Sequence, residues 1–244
     1  MYGFIFFIMK ETIKNENLEV CINTFGGYIE SFTYKNNPVF FPKLLIKIKD
    51  SLKTRGGMHP CLPNFGEDEY LNLNVHGFGR DEFWEIIEKD ENKIKLKLKG
   101  IETYKNVDFY IDYEIEKDKL KTYLRVDNKS NDKKLIAPGF HPYFYTGEEK
   151  IKFENFEIDE KKLFDTIFID RDFLKFTLKN KEISINTKNA GRFAIWTDFY
   201  GQYICIEPTF NGKSFIKKEK DEPFILKKDQ SFNMAFEIQA KEVS

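Results

Sequence analysis

The chain of 244 residues is 41% apolar and 32% charged, a balance that fits a folded core and excludes a disordered chain. Its 39 basic and 40 acidic residues leave a net charge of −1, with no basic tract, which argues against a nucleic-acid partner. The three cysteines, Cys21, Cys61 and Cys205, are scattered and form no CxxC pair, so they fit a reducing compartment better than a disulfide framework.

The opening MYGFIFFIMK carries an apolar run too short to span a bilayer. It has no positive charge ahead of the run and no small-residue cleavage site behind it. It reads as an edge strand, or as sequence ahead of a start at Met9. No other run approaches transmembrane length, so the expectation is a cytoplasmic protein with no membrane partner. LEVCINTF (18–25) and YIESFTY (28–34) flank Gly26-Gly27 and read as a hairpin. Residues 43–53 suggest a short helix. KIKLKLK (93–99) alternates strictly, the pattern of a half-exposed antiparallel strand. VDFYIDYEIE (107–116) and KLKTYLRVDN (119–128) flank Lys117-Asp118 and form a second hairpin. Further strands are expected at 151–158, 166–170, 174–178, 182–187, 192–197, 202–207 and 231–239. No Pro/Gly/Ser linker divides the chain, so one domain over 1–244 is expected. Many short strands joined by tight turns predict an all-β fold, a large antiparallel β-sandwich, which the pattern does not separate from a barrel.

Two stretches break the alternation: TRGGMHPCLPNFGEDEYLNLNVHGFGRDEFW (54–84) and APGFHPYFYTG (137–147). Both are rich in Gly, Pro, His and aromatics, and irregular segments of that kind often carry sites. No GxSxG elbow, Walker loop, dinucleotide fingerprint or HExxH occurs. The three histidines, His59, His76 and His141, lack the paired spacing of a metal site, so no metal is expected. What remains is an acid–base and charge set: Arg55 before two glycines, His76 before GFGR, His141 before Pro142, and Glu207 before Pro208. Tyr203, Cys205 and Glu207 share one face of a strand and Ile204 and Ile206 the other. A carboxylate on the polar face, followed at once by proline, suggests a strand end opening onto a pocket. Partial burial there raises a carboxyl pKa and suits a base. For each residue alone, packing or a surface ion pair is the commoner role.

Taken in order, the segments resemble the aldose 1-epimerase (galactose mutarotase-like) superfamily. CINTFGGYIESFTYKNNPVFF is similar to its first hairpin and TRGGMHPCLPNFG to its Arg-Gly-Gly-x-Pro segment. HGFGRDEFWEI, GFHPYF and ICIEP follow, similar to its His-Gly-Phe-Ala-Arg, His-Pro-Tyr-Phe and Cys-x-Glu-Pro segments. The motifs are closer in form to the LacX-like and hexose-6-phosphate epimerase branch, from which Met58-His59-Pro60 and Gly79 depart.

The resemblance implies a mutarotase that interconverts the α and β anomers of a hexose or hexose phosphate without a cofactor. His141 would be the general acid, held protonated by a nearby carboxylate, and Glu207 the general base. Arg55 and His76 would hold sugar hydroxyls. A third acidic residue would be Asp165, or else Asp198. Arg55 and Arg80 are candidates for a phosphate. The expected partner is a small sugar or sugar phosphate, and the expected state a monomer or weak homodimer. The competing reading is a carbohydrate-binding module without catalysis, which would have no need of an acid–base pair.

Overall fold

A computed structural model describes residues 9–213, 215 and 222–243 of the chain. The first eight residues, read from sequence as an edge strand or an upstream segment, lie outside the described residues. Two large sheets, of nine and eight strands, dominate, and every strand pair within them is antiparallel. They pack face to face as a sandwich, the fold class expected from the sequence. Among the described residues no helix is long and apolar enough to cross a membrane.

Alternation decides which faces meet. In Lys93–Lys99, Ile94 and Leu96 are fully buried while the lysines point outward. Val107–Glu116 and Lys119–Asn128 pair along their whole length as the expected hairpin. Both belong to the eight-stranded sheet, whose inner face supplies Phe109, Leu124, Phe236 and Ile238 to the core. The nine-stranded sheet answers with Phe32, Phe140, Phe144, Ile204 and Ile206. Phe140 meets Phe236 at 5.1 Å between ring centroids, and Phe144 meets Phe176 at 5.2 Å, both contacts linking one sheet to the other.

Four expectations need correction. Residues 43–53 do not form a helix. Leu44–Ile48 and Ser51–Arg55 form a hairpin whose strands pair only with each other. Lys49 turns it through a positive φ of 53°, and the Ile46 and Ile48 positions favour extended backbone. The 151–158 segment holds strand only at Lys152–Phe153. The strand holding Glu207 does not end there but runs from Tyr203 to Thr209, through Pro208, so Glu207 sits well inside the sheet.

The 137–147 stretch looked irregular because both of its faces are aromatic. It is a regular strand, Gly139–Tyr145, at the centre of the nine-stranded sheet. Its even residues face the sandwich core and its odd residues face outward, where the site lies. The chain enters this region through Gly56 and Gly57, at φ 95° and 65°. A Cβ on Gly57 would stand 2.1 Å from the carbonyl oxygen of Ile29, so both the conformation and the close approach require glycine there. Gly57→Ala is expected to lower stability by at least about 2 kcal/mol, a drop of roughly 4–8 °C in Tm by thermal unfolding. An unchanged Tm would show that the backbone relaxes freely at this turn.

Candidate active site

Strand register assembles the site. His59 pairs with His141 across the neighbouring strands Met58–Cys61 and Gly139–Tyr145. On the other side, Gly139 pairs with Thr209 and Tyr143 with Cys205, which sets His141 opposite Glu207. Glu207 in turn pairs with Ala194. One row across four strands therefore reads His59, His141, Glu207, Ala194. The small alanine leaves room beside the carboxyl group.

These side chains open into a cavity of about 790 Å³. Its lining includes all five residues singled out from the sequence: Arg55, His76, His141, Asp165 and Glu207. At its floor His141 Nε2 stands 3.4 Å from Glu207 Oε2. Both residues are almost wholly buried, at 5% and 2% exposure. Glu207 Oε2 and His141 Nδ1 make no hydrogen bond among the described residues. His141 is clamped by stacking on Tyr143 at 4.7 Å and on His59 at 4.9 Å. Trp196 stands edge-on at 5.9 Å.

Burial pushes the Glu207 carboxyl well above the usual carboxylate range. The expectation that a carboxylate would hold His141 protonated is not met. Burial pushes the His141 imidazole well below its ordinary value, and the neighbouring His59, His76, Arg80 and Arg55 push the same way. Desolvation disfavours the charged form of each group. Burial therefore disfavours the charged form on both sides of the pair.

Arg55 and Asp198 form one unit. Arg55 Nε donates to Asp198 Oδ2 at 2.9 Å, the Tyr203 hydroxyl donates to Asp198 Oδ1, and the guanidinium lies over Trp196 at 5.5 Å. Asp198 therefore aims Arg55 and is not itself part of the cavity lining, whereas Asp165 is exposed on the rim. His76 adopts a positive φ of 70°, and its Nδ1 lies 3.4 Å from the Cys61 thiol. Burial first, then Arg80, lowers its pKa to about 4, so it is neutral at pH 7.

Sequence reasoning undervalued His59, which lies in the same cross-strand row as His141 and Glu207, and missed Tyr28, Tyr143 and Trp196 as cavity walls. The sequence signal for His59 was available: His59 and Cys61 share strand parity, and so do His141 and Tyr143. What it lacked was the register between those strands. Lys43, Lys53, Arg80 and Lys213 add positive charge to the lining, against Glu67, Asp81 and Asp165.

The molecule is thus an antiparallel sandwich with a buried imidazole–carboxyl pair beneath an aromatic-walled cavity rimmed by charged side chains. Residues 9–167 match the family model for aldose 1-epimerase, and the chain belongs to that family. Solved structures share the fold. The Slr1438 protein of Synechocystis is similar with a TM-score of 0.80 at 17% identity, covering 99% of this chain and 100% of that one. A galactose mutarotase related enzyme from Lactobacillus acidophilus gives 0.78 at 18% identity, covering 97% and 98%. A galactose mutarotase-like protein from Lactobacillus casei gives 0.79 at 15%, covering 96% and 100%. No curated protein matches the sequence.

The Glu207 carboxyl sets a stability expectation. Because its folded pKa is raised, its contribution is favourable below the unfolded carboxylate value of about 4.3 and is lost as pH rises toward the folded value. Glu207→Gln removes that loss. The variant is expected to have a higher Tm than the parent at pH 8 and a similar one at pH 4. Equal Tm values at both pH values would mean the carboxyl ionises without cost.

Proposed function

We propose that the protein is an aldose 1-epimerase acting on a cyclic hexose through the His141–Glu207 pair. The observation that carries this reading is the buried pair itself, 3.4 Å apart at the floor of a sugar-sized cavity. Glu207, as carboxylate, takes the proton of the C1 hydroxyl. His141, as imidazolium, gives a proton to the ring oxygen as the C1–O5 bond breaks. The open-chain aldehyde turns about C1–C2, and the ring closes with the roles reversed. Two protons move and two return, so the pair ends as it began.

A carboxylic acid beside a neutral imidazole holds as many protons as a carboxylate beside an imidazolium, so the pair can reach its charged form by internal transfer once a bound sugar brings the two groups into a hydrogen bond. Sugar hydroxyls then supply the hydrogen bonds that the buried charged form lacks. Arg55, fixed by Asp198, and neutral His76 bind sugar oxygens, while Trp196 and Tyr143 pack against C–H faces. The third acidic position divides into two parts: Asp198 orients Arg55, and Asp165 reaches the ligand only at the rim.

The cationic lining favours a hexose bearing an anionic group. Lys53 and Arg80 lie among the cavity residues, Arg80 only loosely matched by Asp81 at 3.8 Å. Arg80→Ala is expected to raise KM for glucose 6-phosphate about tenfold or more while leaving glucose nearly unaffected. An equal effect on both sugars would count against a phosphate contact.

Polarimetry of freshly dissolved α-D-glucose and α-D-galactose, with exchange NMR on glucose 6-phosphate, tests the activity against spontaneous mutarotation. His141→Asn and Glu207→Gln are each expected to lower kcat by roughly 10²- to 10⁴-fold with the fold intact. Near-normal rates in either variant would remove the assigned roles. Sugar binding with no acceleration by the parent protein would favour the carbohydrate-binding module.

A further inference from the structure

Beside the pair lies a third donor that ring opening does not use. Cys205 is fully buried, and its Sγ faces the cavity side of the same strand as Glu207, one pleat away. One ligand atom from each of His141, Cys205 and Glu207 lies within 4.8 Å of the other two. We propose that these three side chains form a binding site for a zinc-class divalent cation, whose occupancy blocks the acid–base pair.

The donor chemistry fits such an ion. Zinc takes nitrogen, sulfur and carboxylate oxygen at bond lengths of about 2.0–2.3 Å, which puts tetrahedral ligands about 3.3–3.8 Å apart. The imidazole nitrogen and carboxylate oxygen already stand 3.4 Å apart. Closing the set from within 4.8 Å therefore asks at most about 1.5 Å of the thiol. Three protein ligands leave the fourth position to the cavity, the arrangement of an open zinc site.

A second observation points the same way: Glu207 Oε2 is buried and has no hydrogen-bond partner among the described residues. A cation gives that oxygen a partner. Charge also balances, since a thiolate and a carboxylate offset a divalent ion in a dry setting. The nearby Arg55 is already paired with Asp198 at 2.9 Å, which reduces its repulsion of a second cation. Magnesium and calcium, which seek oxygen ligands, do not suit a set with one imidazole and one thiol. Binding the ion occupies the nitrogen and oxygen that would otherwise exchange protons with the sugar. Inhibition competitive with sugar rests on the functional reading above, whereas binding of the ion does not.

The test uses cobalt(II) as the spectroscopic substitute for zinc, on the full chain in a non-thiol reductant. The expected result is one equivalent bound, with a thiolate-to-cobalt charge-transfer band that zinc bleaches and magnesium leaves alone. Cys205→Ala is expected to lose the band and weaken zinc binding by at least about tenfold, while Cys21→Ala keeps both. If Cys205→Ala fails to fold by circular dichroism, Glu207→Gln provides the second variant and is expected to weaken binding likewise. Absence of a bound equivalent, or a band that survives Cys205→Ala, overturns the proposal. Zinc added to the mutarotation assay should slow turnover competitively and reversibly on chelation. A protein that binds cobalt but turns over no sugar overturns the functional reading alone, and one that turns over sugar without binding cobalt overturns the metal site alone.

Discussion

A carboxyl group in the middle of a β-sheet, 2% exposed, is the constraint around which this molecule is arranged. A buried charge is costly unless it is paired, and the nearest titratable partner of Glu207 is an imidazole that is equally buried. Burial works against ionisation of each group where it stands. That placement depends on strand register. A slip of one residue between the Gly139–Tyr145 and Tyr203–Thr209 strands would turn one partner into the sandwich core. The aromatic contacts of Phe140 and Phe144 with the opposite sheet fix that register from behind.

The same two strands therefore serve two purposes on opposite faces. Phe140, Phe144, Ile204 and Ile206 fill the core, and His141, Tyr143 and Glu207 line the cavity, with Cys205 packed behind them on the same face. Site geometry is set by the rigid part of the protein, not by its loops. Backbone hydrogen bonding between the strands holds the imidazole and carboxyl positions with little freedom, a form of preorganisation suited to proton transfer. By contrast, Arg55 comes from the end of a hairpin and is aimed by one carboxylate, Asp198, which the Tyr203 hydroxyl holds in turn.

Much of this was legible in the sequence, for physical reasons. Lys93–Lys99 and the 107–128 hairpin show plain period-two alternation because one face meets solvent and the other the core. Glu207 was placed on the polar face of its strand by the same alternation. The Gly139–Tyr145 strand was not recognised, since aromatic residues on both faces erase the period. The 43–53 hairpin was misread as helix because leucines and lysines suit either state, and only cross-strand pairing decides. His59 was undervalued because its importance arises from pairing with a residue 82 positions later. The depth of His141 was not legible either: burial, which sequence does not carry, pushes its imidazole pKa down despite the nearby carboxyl group.

The Leu44–Arg55 hairpin pairs with no other strand among the described residues, yet it delivers Lys53, Thr54 and Arg55 to the cavity. Its length and rim residues can vary without disturbing a single ladder hydrogen bond of the sheet beneath. Part of the cavity rim is thus supplied by a segment separable from the sheet that carries His141 and Glu207. Changes in this one appendage can alter the rim of the cavity, while the His59–His141–Glu207 row stays under the fold's own constraints of packing and register.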